Sequence, residues 1–167
     1  MNLNDVEKTH ISNTLSKAII NALDLKMVNS EVLQTFENCI ANQQFTAMTY
    51  HQNGMNLERI YSNTPESYPV GGRKSKLGMP WGQQVLVEGR VYVGSGINAI
   101  EWAFDDATKI LDLGLLCVLN VPIINGNQTR GTINFLRSGP AFTAFEVSCG
   151  QLLAAALAFR MNAQEDK

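Results

Sequence analysis

Between Leu115 and Leu136 the chain reads LLCVLNVPII, then NGN, then QTRGTINFL, two apolar runs joined by a glycine-containing turn. No other stretch restricts the fold as much. Two such runs around Asn-Gly specify a β-hairpin. Because they are apolar at nearly every position, both faces of the hairpin must be covered by protein, as in central strands of a sheet. Asn120 and Asn134 interrupt this surface. A buried amide costs about 1–3 kcal/mol unless it is hydrogen-bonded, so each needs a partner in the fold or on a ligand.

The remainder of the chain supplies the covers. Val6, Ile11, Leu15, Ala18, Ile19, Ala22 and Leu23 recur at the spacing of one helix face. Ser30 is a candidate N-cap for a second helix carrying Val32, Leu33, Phe36 and Ile40, and the helical part is expected over residues 5–41. Phe45 to His51 and Leu57 to Tyr61 read as two strands turning at Gln52-Asn53-Gly54. Alternation then places Leu57, Arg59 and Tyr61 on one face, with Arg59 either a rim ion-pair residue or a ligand contact.

Ser62 to Pro80 is a long irregular segment broken by Pro65, Pro69, Pro80 and Gly71-Gly72, and it carries Tyr68, Arg73, Lys74 and Lys76. A short helix from Trp81 to Glu88, a strand from Arg90 to Val93 and a broken helical region from Asn98 to Asp112 follow. Thr143-Ala-Phe-Glu146 is a capping box flanked by the staple pair Phe142 and Val147. It opens a C-terminal helix over residues 143–163 with Leu152, Leu153, Ala156 and Phe159 inward. The order gives one α+β domain over residues 1–167, with helices on an antiparallel sheet whose strands and pocket insertion span residues 44–136.

A formal charge of −2 disfavours nucleic acid as a partner, and no apolar run approaches the length that spans a bilayer. The start, MNLNDVEKTH, lacks secretory-signal character, and Cys39, Cys117 and Cys149 are an odd number at wide spacings. Both point to a cytoplasmic protein with reduced thiols. With only His10 and His51, no metal-ligand pattern exists. Ser95 lacks the setting of a catalytic nucleophile. Gly94 to Ala99 fits a loose dinucleotide pattern, but no acidic residue or strand–helix alternation accompanies it. No catalytic residue is assigned, and no metal, haem, bilin or nucleotide motif is present.

A pocket pattern remains. Tyr50, Tyr61, Tyr68, Trp81, Trp102 and Phe104 lie near irregular segments, where they form either a second core or the wall of a small-molecule cavity. Gly72-Arg73-Lys74 is then either a solvated loop or a face for an anionic group.

The succession Leu119-Asn-Val-Pro-Ile123, turn, Gly131-Thr-Ile-Asn-Phe135, Phe142 to Glu146 and a long Ala/Leu-rich helix resembles the GAF domain family over residues 5–163. Tyr61 to Lys74 with Pro80-Trp81-Gly82 is similar to a branch of small bacterial GAF proteins. The resemblance implies a profilin-like antiparallel sheet, with terminal helices on one face and an insertion roofing a pocket on the other. It further implies a homodimer built on the terminal helices and a sensor of an unknown small molecule. With no kinase, cyclase or DNA-binding sequence by Lys167, such a sensor would act on a signalling partner. The Asn-Lys-Phe-Asp-Glu run of cyclic-nucleotide binders is missing, as is a bilin-binding cysteine between Ser62 and Asp112. The cysteines do not match the closely arranged set of the methionine sulfoxide reductase type. The expected ligand contacts are Tyr61, Tyr68, Arg73, Trp81, Trp102, Asn120 and Asn134. A redox enzyme on the same scaffold, or a structural interaction module with a filled pocket, are the alternatives.

Overall fold

The computed structural model describes residues 3–24 and 30–161. Helices α1 (Asp5–Asp24) and α2 (Ser30–Glu37) precede strands β1 (Gln44–His51) and β2 (Asn56–Ser62). The insertion contains β3 (Arg73–Ser75), α3 (Pro80–Gly82), β4 (Tyr92–Ser95), α4 (Ile97–Ala103) and α5 (Ala107–Asp112). The hairpin β5 (Cys117–Asn125) and β6 (Gln128–Arg137) leads into α6 (Ala144–Met161). Strand order is β3-β2-β1-β6-β5-β4, with every neighbouring pair antiparallel.

The hairpin is as apolar-covered as its composition requires: residues 117–123 and 131–137 are all buried. Asn120 stands directly opposite Asn134. Pro122 lies beyond Asn120, the last β5 residue paired with β4, on a stretch whose outer side is open. A missing N–H is tolerated there. Gly131 allows β1 and β6 to approach: a Cβ at this position would lie 2.1 Å from the Met48 carbonyl oxygen.

Period-two alternation divides the sheet into two faces. Phe45, Ala47, Leu119, Val121, Ile133 and Phe135 join the main core beneath α1, α2 and α6. Gln44, Thr46, Met48, Asn134 and Leu136 face the insertion. The capping box forms as the sequence indicates, with Thr143 N–H donating to Glu146 Oε2 at 2.8 Å and Glu146 N–H to Thr143 Oγ1 at 3.2 Å. Arg137 clamps the same carboxylate through two nitrogens, at 2.7 and 3.0 Å. Burial alone would raise the Glu146 pKa, but the bonds from Arg137 and Thr143 outweigh it and hold it below the ordinary value.

Several local expectations are corrected. Val6 is exposed, as is every residue from 4 to 10. Leu152 is also exposed, since the inward stripe of α6 is Cys149, Leu153, Ala156 and Leu157 and Leu152 lies about 100° off it. The side chains of Ala22, Leu23 and Phe159 lie outside the described residues. Ile40 follows α2 rather than ending it, and is buried. The expected helix from Trp81 widens into a π-helical turn over Gln83–Val87. Strand β4 is displaced two residues toward Gly94, whose missing Cβ admits Ala99 and the Tyr92 hydroxyl.

Tyr61 does not share a face with Leu57 and Arg59. The β1–β2 register shifts between Ala47 and Met48, so Tyr61 pairs with Ala47 while Arg59 pairs with Met48. The extra residue, Ile60, forms a β-bulge that turns Tyr61 toward the main core.

Candidate functional site

A cavity of about 50 Å³ lies between the second sheet face and the insertion. Its floor comes from alternate residues of the strands: Gln44, Thr46 and Met48 from β1, Leu57 and Arg59 from β2, Asn134 and Leu136 from β6. The cover supplies Tyr68, Lys74, Lys76, Trp81, Phe104, Asp106 and Ile110.

Trp81 secures the cover to the sheet. It is 2% exposed, and its Nε1–H donates to Asn120 Oδ1 at 2.9 Å. Asn120 Nδ2 donates to Asn134 Oδ1 at 2.8 Å, and Asn134 Nδ2 donates to Thr46 Oγ1 at 3.2 Å and Thr132 Oγ1 at 3.1 Å. The two amides of the hairpin are thus satisfied within the fold, by each other and by the roof.

The charges are unevenly paired. Lys74 forms an ion pair with Asp106, and Lys76 donates to Asp105 at 2.9 Å while lying over the rings of Trp81 and Phe104. Arg59 is 6% exposed and has no carboxylate within ion-pair distance among the described residues. Its Nη1 donates to Pro69 O at 2.9 Å, its guanidinium lies 5.2 Å from the Tyr68 ring centroid, and its Nε makes no hydrogen bond. Burial pulls its pKa down, with Asp106 opposing. Gln44 Oε1 and Asp106 Oδ1 are buried without a hydrogen-bond partner. The Tyr68 hydroxyl, beside the Gln44 amide, makes no hydrogen bond of ordinary geometry. Burial, and then Asp106, push its pKa up to about 12. Such orphaned groups are uncommon in native interiors and their concentration in one cavity is a property of the site.

Of the seven expected contacts, Tyr68, Trp81 and Asn134 line this cavity. Asn120 sits behind Trp81 as its acceptor. Tyr61 is on the other face, donating to Glu37 Oε2 at 2.7 Å. Arg73 points outward from β3 to Glu58, at 2.6 Å, because its neighbour Lys74 takes the inward position of the alternation. Trp102 stacks on Tyr92 with centroids 4.8 Å apart and stays partly exposed. Gln44, Lys76 and Asp106 are not expected ligand contacts from sequence, and Arg59 is left there between a rim ion pair and a ligand contact. Arg59 was identifiable from its alternation with Leu57; nothing in the sequence pairs the other three with the cavity.

Cys39, Cys117 and Cys149 are free and buried. Burial pushes the Cys39 thiol up to about 12 and also raises Cys149. Neither is poised as a thiolate. Among the described residues, no group of three His, Cys, Asp or Glu side chains could hold a metal ion. No described helix is long and apolar enough to cross a membrane.

No protein-family model matches the sequence, and no curated protein matches it. Solved structures do match the fold. The GAF domain of an Acinetobacter phosphoenolpyruvate-protein phosphotransferase superposes with a TM-score of 0.74 at 11% identity, covering 99% of this chain and 98% of that one. The corresponding domain from Coxiella burnetii gives 0.74 at 14% identity, covering 98% and 97%. The phycoerythrobilin-bound GAF domain of a cyanobacterial phytochrome gives 0.63 at 13%, covering 99% and 100%. The chain therefore has the GAF-domain fold, with the helices on one face of the sheet and the covered cavity on the other.

Proposed function

We propose that this protein is a non-catalytic sensory module that binds a small anionic molecule in the cavity beneath Trp81. The observation carrying this reading is Arg59, a buried guanidinium without a carboxylate partner among the described residues, on a wall of three cations and one carboxylate. A buried cation is costly unless an anion completes it. A ligand-bearing domain of the same fold, the phycoerythrobilin-bound one, supports use of this fold for small molecules. Exposed Val6, Ile20 and Leu152 on α1 and α6 support a homodimer through those helices, with occupancy passed to a signalling partner. Three unpaired thiols accord with a reducing, cytoplasmic setting.

Native mass spectrometry of freshly purified protein tests the reading. The expected result is a dimer that carries, or takes up on titration, a small anionic molecule. A protein that carries no small molecule and takes up none on titration would refute it. The module with a filled pocket has its own support in the packing of Trp81 and Phe104 on Met48 and Leu57. It predicts that melting temperature is indifferent to every small anion.

A further inference from the structure

The unpartnered atoms of the cavity define more than an anion. Resting on the reading above, the geometry points to a ligand of one class: a small carboxylate bearing a hydroxyl on the neighbouring carbon. Arg59 spends Nη1 on Pro69 O, leaving Nε unpaired on a side chain that lines the cavity. The Nε–Nη2 edge of a guanidinium is a fork that matches both oxygens of a carboxylate. Gly72 lets Nη1 reach Pro69 O, since a Cβ there would lie 2.7 Å from Arg59 Nη1 and 3.2 Å from that oxygen.

Opposite in chemistry are two buried acceptors, Gln44 Oε1 and Asp106 Oδ1; the Tyr68 hydroxyl can donate to one of them, and the other needs a donor that a bare carboxylate cannot supply. A hydroxyl supplies it. An ammonium group would too, but the wall holds three cations against one carboxylate, and that carboxylate already holds Lys74. A net anion with a neutral donor fits this balance better than a zwitterion. The volume of about 50 Å³ holds roughly three to five water-sized groups, the scale of glycolate or lactate. A ligand this small binds no tighter than roughly micromolar, so probes belong at millimolar concentration.

The test is calorimetric titration and thermal melting of the full chain with lactate, glycolate, propionate, acetate and glycine. Lactate is expected to bind on the order of ten- to a hundredfold tighter than propionate, because propionate leaves a buried acceptor unpaired. Gln44→Leu should narrow that ratio severalfold while propionate binding survives. Arg59→Met should abolish both, and Arg59→Lys, which keeps the charge without the fork, should weaken both about tenfold. Cooperative urea unfolding of each variant verifies folding.

Equal affinity for lactate and propionate would overturn the inference, as would preference for glycine. So would indifference to all five probes. Arg59-dependent binding of some other anion in that case would leave the sensory reading standing, whereas the absence of any bound molecule would remove both.

Discussion

Trp81→Phe isolates the bond that fixes the roof of the cavity to the sheet. The substitution keeps an aromatic ring but removes Nε1–H, the donor to Asn120 Oδ1 at 2.9 Å. Asn120 is completely buried, and its Nδ2 remains committed to Asn134, so the oxygen loses its donor and water cannot reach it without opening the cover. An orphaned buried acceptor costs about 1–3 kcal/mol. The smaller ring also leaves roughly 40 Å³ unfilled, worth about 1 kcal/mol. The sum, on the order of 2–4 kcal/mol, is a large part of the stability of an ordinary domain, about 5–15 kcal/mol. For a chain of this size it corresponds to a fall in Tm of roughly 5–15 °C. Urea unfolding followed by far-ultraviolet circular dichroism would measure it, with an unchanged m-value expected. A double-mutant cycle with Asn120→Ala then separates the bond from the lost volume, and a coupling of about 1–3 kcal/mol is expected. Coupling below about 0.5 kcal/mol would refute the argument that this bond holds the roof.

Three further outcomes follow from the same geometry. Gly131→Ala should cost about 3 kcal/mol in urea unfolding, because its Cβ meets a backbone carbonyl of β1 rather than a side chain that can move aside. The Glu146 pKa is held below the ordinary 4.5, so its ion pair with Arg137 stabilises the protein fully above that value and is lost as pH falls through the lower, folded value. Glu146→Gln should therefore cost on the order of 3 kcal/mol at neutral pH and flatten the acid limb of a stability–pH profile. Cys39 and Cys149, buried with raised pKa values, should resist iodoacetamide at pH 7.5 in native protein and react on denaturation, as intact-mass analysis would show.

What could be read from sequence was whatever rests on local periodicity. The hairpin and its turn follow from apolar continuity and Asn-Gly, and the start of α6 follows from a four-residue capping box, whereas the register that sets Asn120 opposite Asn134 is fixed only by the strand pairing, with its irregularity between Ile123 and Ile124. The cavity was read less well, because its walls depend on single-residue phase. One bulged residue at Ile60 sends Tyr61 to the opposite face from Arg59. A strand of three residues decides that Lys74, and not Arg73, points inward. A strand that short has no detectable period. Tertiary pairing also reassigned Asn120, which appears ligand-facing by composition yet is consumed by Trp81, 39 residues earlier.

Ligand capture turns on one group, the Arg59 Nε–H, and nuclear magnetic resonance can observe it directly. In an arginine-selective nitrogen–proton correlation spectrum, its resonance would be assigned by its loss in Arg59→Lys and followed as lactate is added. A saturable downfield shift of this resonance is expected as the unpaired donor engages a carboxylate. An unmoved Arg59 resonance across lactate and the other small anions would contradict it.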